Sequence, residues 1–168
     1  MLDESETPEQ LSDERWMDIG NRWYERLELV GSLIPSGASV LDLGAGAQGL
    51  RELVSGPYTP ADLFLRTRDT LPFNMEADVY PSGRWDVVVM SGVLEYASKP
   101  EKVMQEVRSL APLVILTYQI VGRKTNERLR VGFRNHLSEP QLKRICQRSG
   151  FHFQPVMPWG RQGIYRLT

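Results

Sequence analysis

The side chain whose chemistry decides how this chain is read is Asp42. It stands in the stretch Ala38-Ser39-Val40-Leu41-Asp42-Leu43-Gly44-Ala45-Gly46-Ala47-Gln48-Gly49-Leu50. There an apolar run of strand length ends at an acid, breaks into closely spaced glycines and resumes as Leu50, Leu53 and Val54 at helical spacing. The order is strand, tight turn, helix. Glycine tolerates positive φ in such a turn and lets backbone approach a ligand closely, and the first amides of the following helix point into the same space. The stretch predicts a nucleotide-type binding loop.

Gly44, Gly46 and Gly49 match the dinucleotide fingerprint, which makes a nicotinamide or flavin site one reading. In that fingerprint a pyrophosphate rests over the helix N-terminus, and a carboxylate two residues before the first glycine would repel it. A ligand carrying an ammonium and a sulfonium, as S-adenosylmethionine does, turns the same carboxylate into a favourable partner in a partly dry cleft. A third role for Asp42 is purely local, accepting backbone amides to cap the turn. The cationic guest is the expectation, because further acids recur where that reading needs them.

The second of these acids is Asp62, 18 residues past Gly44 at the end of a predicted strand Tyr58–Asp62; the carboxylate that binds ribose hydroxyls is expected roughly 20 residues on. Pro60 sits awkwardly in that strand, which is expected to be short or to begin after it. A stub strand at Leu71–Met75 leads to Asp78 and Val79, and the span Leu65–Tyr80 is too short for a full helix plus a full strand. Trp85–Met90 is a continuous apolar run rich in β-branched residues, as expected of a central parallel strand covered on both faces. Active sites of open α/β sheets lie at the carboxyl ends of such strands, so Ser91 to Tyr96 becomes the pocket floor. Ser98-Lys99-Pro100-Glu101 and Ser138-Glu139-Pro140-Gln141 both read as capping boxes opening helices. Between them lies a fifth strand, Leu113–Tyr118. Phe151–Val156 and Gly163–Leu167 read as a hairpin joined by Met157–Gly160.

Ahead of the glycine loop, Thr7-Pro8 predicts a helix start. Trp16, Ile19, Trp23, Leu27 and Val30 form its buried stripe, with Asp18, Arg22, Glu25 and Arg26 on other faces. The helix either covers the core or carries Trp16, Trp23 or Tyr24 over the cleft as a lid. Residues 119 to 137 hold Arg123, Lys124, Arg128, Arg130 and Arg134 against Glu127. They form a solvated insertion or a basic rim for an anionic substrate.

With 168 residues, 41% hydrophobic and 24% charged, residues 7–168 suit one domain after an acidic, disordered tail at 1–6. A net charge of -1 leaves no overall nucleic-acid footprint. Cys146, the sole cysteine, excludes an intrachain disulfide and a thiolate zinc cluster and fits a reducing cytoplasm. No apolar run approaches the ~20 residues that span a bilayer, and the start lacks the regions of a secretory signal.

With these parts in order, the chain resembles the class I S-adenosylmethionine-dependent methyltransferases, especially those acting on small molecules, from roughly Arg22 onward. The resemblance rests on Val40-Leu41-Asp42-Leu43-Gly44-Ala45-Gly46, on Asp62 and Asp78, on Trp85-Asp86-Val87-Val88-Val89-Met90-Ser91-Gly92-Val93-Leu94-Glu95-Tyr96, and on Asn135-His136-Leu137-Ser138 with the closing hairpin. It implies an α/β, doubly wound, Rossmann-like, mostly parallel seven-stranded sheet with a C-terminal antiparallel hairpin, abbreviated between the second and fourth strands. It implies S-adenosyl-L-methionine held by Asp42, Gly44, Ala45, Gly46, Asp62, Leu63, Asp78, Val79 and Ser91, with Asp78 accepting from the adenine amino group and the Val79 amide offered to the ring.

Tyr96 stands where many members carry His, so no general base transfers from the motif. Glu95, Tyr96, His136 and Tyr118 are the side chains expected to reach an acceptor, with His136 the base at neutral pH. There is no Asn-Pro-Pro-Tyr-like segment and no Pro-Cys nucleophile, which argues against base methylation of DNA by the usual routes. No metal is expected. The expectation is methyl transfer to a small-molecule acceptor, anionic if the basic segment lines the cleft. The alternatives are a non-catalytic S-adenosylmethionine-binding or scaffolding domain and an NAD-dependent oxidoreductase.

Overall fold

The computed structural model describes residues 21–120 and 131–168. The expectations for residues 1–6, for the helix start at Pro8, for Trp16, Ile19 and Asp18, and for Arg123, Lys124, Glu127, Arg128 and Arg130 lie outside them. Helix α1 is described over Asn21–Ser32, and then come β1 (Val40–Leu43), a 3-10 turn (Gly49–Leu53), β2 (Tyr58–Asp62), β3 (Leu71–Pro72) and β4 (Val87–Ser91). A second 3-10 turn (Leu94–Tyr96), α2 (Pro100–Leu110), β5 (Leu113–Gln119), α3 (Glu139–Arg148), β6 (Phe153–Trp159) and β7 (Gln162–Leu167) complete the order. The seven strands form one sheet in the order β3-β2-β1-β4-β5-β7-β6. Strands β1 to β5 pair in parallel, and β7 runs antiparallel to both β5 and β6.

Alternation along the strands sorts side chains onto two faces. Val40, Val87, Val89, Leu113, Ile115 and Ile164 face α1, whose Leu27 and Val30 close that layer. Leu41, Leu43, Val88, Met90, Val114 and Leu116 face α2 and α3, met by Val103, Met104, Val107, Leu142 and Cys146. The same alternation turns Asp42, Ser91 and Thr117 toward the α1 side, at the carboxyl ends of their strands.

Strand β2 runs straight through Pro60, which pairs with Asp42. The Ala61 carbonyl accepts from Gly44 and Ala45 on the β1 side, and the Asp62 carbonyl accepts from Phe73 on the β3 side. Alternation therefore aims the donor that Pro60 lacks toward β3, whose register begins only at Ala61, so no ladder bond is lost. As expected, no α-helix intervenes between β2 and β4.

Four local expectations are corrected. The helix after the glycine loop is a five-residue 3-10 turn, cut short by Ser55-Gly56-Pro57. Ser98 does not cap α2: the N-cap is Lys99 without a side-chain bond, and the Ser98 hydroxyl donates instead to Glu76 at 2.6 Å. The closing hairpin turns at Gly160 and Arg161, so Met157-Pro158-Trp159 belongs to β6, where an edge strand tolerates its prolines. Arg26 does not lie on a solvent face; only 7% of it is exposed. The box at Ser138 holds, with the Gln141 side chain accepting from the Ser138 amide at 2.8 Å.

Candidate functional site at the carboxyl edge of the sheet

Strand β1 delivers Asp42 to the sheet edge with only 4% of its surface exposed. The Tyr58 hydroxyl, on the neighbouring strand, donates to Asp42 Oδ2 at 2.6 Å. Burial raises the Asp42 carboxyl to about 6; the Tyr58 bond opposes the rise, Asp62 adds to it, and Arg26 opposes it. Tyr58 is pushed upward as well, by burial and then by the Asp42 charge, so it remains the donor. Asp42 is thus a desolvated acid, short of positive partners.

The glycine loop folds back on β2 rather than outward. Gly44 and Ala45 donate to the Ala61 carbonyl at 2.7 and 3.1 Å, and the Gly46 amide donates to Asp62 Oδ2 at 2.7 Å. With these amides engaged, and only a short 3-10 turn following, the loop lacks the anion cradle that a diphosphate needs. Two carboxylates flank it instead. Gly44 has φ 75, and a Cβ there would lie 2.4 Å from Val93 Cγ2, so only glycine closes this turn against the β4 exit.

Asp62 also accepts from the Phe64 amide at 3.1 Å. A carboxylate has about four lone-pair sites, so two bonds leave capacity for ribose hydroxyls. Leu63, next to it, is exposed. The Gln48 side chain ties the loop to the β2–β3 connection through Thr67 and Thr70. Asp78 and Val79 sit further out, in a surface turn beyond β3. The Val79 amide donates to the Asn74 carbonyl, and Asp78 is ion-paired with Lys102.

At the β4 exit, Ser91 leads through Gly92 into the Leu94–Tyr96 turn. Glu95 is fully buried, and its Oε1 accepts from the Gln119 amide at 2.8 Å. Its carbonyl accepts from Arg134 and Asn135. The Asn135 side chain donates to the carbonyls of Leu94 and Ala97 at 2.6 and 2.9 Å and accepts from the Tyr118 hydroxyl at 2.5 Å. These bonds bring Glu95, Tyr96 and His136 into one neighbourhood, with Tyr96 edge-on to Phe133 at 5.1 Å. Tyr118 is fully buried and holds this junction from within the core, its hydroxyl donating to Asn135 and accepting from the Leu137 amide. Arg134 pairs with Glu76 at 2.8 Å.

Sequence reasoning missed Arg26, Tyr58 and Gln162. Arg26 reaches from α1 over the sheet edge, with Nη1 donating to Gln162 Oε1 at 3.0 Å and Nη2 lying 3.5 Å from the Ser91 carbonyl. Its guanidinium stacks 4.5 Å from the Trp23 ring. Burial lowers it to about 10 while Glu95 and Asp42 hold it up, so it stays charged at neutral pH. The signal available was spacing: Trp23, Arg26 and Leu27 share one helical flank.

Sheet order, glycine turn and strand-end acids together define the Rossmann-like architecture of class I methyltransferases. A family model described as a methyltransferase domain matches residues 9–155. The chain belongs to that family, and its activity is S-adenosylmethionine-dependent methyl transfer. No curated protein sequence matches it. Among solved structures, magnesium protoporphyrin IX methyltransferase from Synechocystis PCC 6803 with bound SAH is similar at 15% identity and TM-score 0.66, over 92% of this chain and 91% of that one. A chain of the Haloferax volcanii complex between the Trm112 methyltransferase activator and a methyltransferase is similar at 15% identity and TM-score 0.73, over 94% of each. A Thermotoga maritima protein described as a possible histamine N-methyltransferase is similar at 14% identity and TM-score 0.69, over 96% of each. No helix among the described residues is long and apolar enough to cross a membrane, and no group of side chains among them is arranged to hold a metal ion.

Proposed function

We propose that Asp42, Gly44, Ala45, Gly46, Asp62, Leu63 and Ser91 hold the methyl donor and that the acceptor is a small molecule. The observation that carries this reading is the buried Asp42 carboxylate beside a glycine turn whose amides are already engaged. Such a turn offers no backbone cradle for phosphate and sets a desolvated acid beside it, so it favours an ammonium and sulfonium guest. Asp62 would take the ribose hydroxyls and Leu63 the apolar ring surface; Asp78, paired with Lys102, and Val79, whose amide is given to Asn74, would border the adenine without the expected amide bond to the ring.

The donor supplies an already activated methyl group, and the protein's part is positioning and exclusion of water. Tyr96 and His136 are the side chains proposed to face the acceptor, with His136 as the base. Glu95, tied to Gln119 and without exposed surface, shapes the floor. That engagement is also what a binding domain without catalysis would show, so the second reading keeps a specific support. A cytoplasmic, reducing setting fits the sole cysteine, Cys146, which is buried.

Calorimetric titration with S-adenosylmethionine, its demethylated product and NAD separates the readings, followed by mass analysis of metabolite mixtures. Saturable donor binding and a product one methyl heavier are expected. Tighter binding of NAD would overturn the donor site, and donor binding with no methylated product would support the binding domain.

A further inference from the structure

The Glu76 carboxylate joins three segments that lie far apart in the chain. Its Oε1 accepts from the Ser98 amide at 2.7 Å and its Oε2 from the Ser98 hydroxyl at 2.6 Å, and Arg134 Nη1 donates to Oε2 at 2.8 Å. On one side of Glu76 is the turn proposed to border the adenine. The Asn74 side chain accepts from the Glu76 and Ala77 amides, the Asn74 and Val79 backbones bond to each other in both directions, and Asp78 holds φ 55. So closely bonded a turn moves as one piece, and Glu76 moves with it. On the other side is the acceptor floor. Ser98 stands two residues after Tyr96, and the Arg134 amide, two residues before His136, donates to the Glu95 carbonyl at 2.8 Å. The ion pair of Arg134 with Glu76 is half exposed and adds little stability. The two Ser98 bonds fix the direction of the carboxylate, so what the contact transmits is position.

We propose that Glu76 is a positioning residue: a nucleoside seated against residues 74–79 shifts its carboxylate, and Ser98 and Arg134 carry that shift to Tyr96 and His136. The acceptor side is set once the donor is in place, so the donor binds first, and each ligand tightens the other by the same factor. This rests on the donor site proposed above. It makes Arg134 a relay between the two ligands rather than a rim charge for an anionic acceptor.

Proton NMR of the full chain tests this, because its two histidines supply a reporter and a control. His136 lies in the relay, whereas the His152 backbone bonds to Thr168 at the opposite end of the sheet. The probe is adenosine, which has neither an amino-acid end nor a methyl group to transfer. Saturating adenosine should shift the His136 Cε1 proton and leave that of His152 in place. Arg134→Ala should still bind adenosine within about fivefold, the most that a half-exposed ion pair is worth, yet lose most of the His136 shift. Glu76→Ala should do the same, and Arg134→Lys, which keeps the charge of a single-donor contact, should restore the shift. The Arg134 side chain is 56% exposed, so its replacement carries the comparison if Glu76→Ala does not fold. A His136 shift that survives in Arg134→Ala would overturn the relay in favour of direct contact with the nucleoside, and no shift in the wild type with adenosine bound would overturn it as well. A wild-type chain that binds neither adenosine nor S-adenosylhomocysteine would refute the donor site itself, a result distinct from both.

Discussion

Replacing Asp42 by Asn tests whether the site holds a charge that the ligand-free fold would rather be without. Burial moves the carboxyl from 3.8 to about 6, and at about 1.36 kcal/mol per pH unit the difference is worth about 3 kcal/mol. The folded state then binds more protons than the unfolded one between these values, so stability falls as pH rises from about 4 to about 6 and is level above. Asn resembles the protonated acid and can still accept from Tyr58. Asp42→Asn should therefore be more stable than the wild type by about 3 kcal/mol at pH 8, a rise in melting temperature of about 6–12 °C at this chain length. The advantage should shrink steadily through pH 5 and vanish near pH 4. At pH 8 the same variant should bind S-adenosylmethionine about tenfold or more weakly, since a partly buried ionic partner is lost. Thermal melts at several pH values and calorimetry at pH 8 measure the two effects. A stability gain independent of pH would show that packing rather than charge is responsible, and no gain at pH 8 would refute the desolvation argument.

Three further outcomes follow from the same geometry. Below about pH 6 the wild-type affinity for S-adenosylmethionine should drop as Asp42 is protonated, and Tyr58→Phe, which removes the 2.6 Å bond that favours the anion, should move that midpoint to higher pH; titrations across pH 5 to 8 show whether it moves. Gly44→Ala places a Cβ 2.4 Å from Val93 Cγ2 at φ +75 and should abolish donor binding, with Gly44→Ala/Val93→Ala recovering stability in part but not the strained turn, as read by melting and calorimetry together. Asn135→Ala removes bonds to Tyr118, Leu94 and Ala97 and should cost about 3 kcal/mol, with proteolysis near residues 131–137 rising faster than in the rest of the chain.

The part of the site that was legible in the sequence is the part made by neighbours along the chain. Strand β1, its acid and the glycine turn follow from an apolar run of strand length and from backbone freedom within seven residues, and Asp62 follows from its spacing to that turn. What escaped was settled between elements. Ser98 has the local pattern of a cap, yet the Glu76 carboxylate, 22 residues away, takes both its amide and its hydroxyl. Met157-Pro158-Trp159 carries turn chemistry, yet pairing with β7 draws it into an edge strand that loses little from a missing donor.

Arg26 is the clearest case. A helical wheel assigns an arginine to solvent because burying a lone charge is prohibitive. The burial is tolerable only because Asp42 on β1, Glu95 beyond β4 and Gln162 on β7 converge on it. None of these lies on its helix, so the spacing within residues 21–32 could set Arg26 on the flank of Trp23 and Leu27 but not disclose what makes its burial tolerable. A charge that several distant elements combine to hold in place, with one donor edge still vacant, is maintained against the general cost of desolvation.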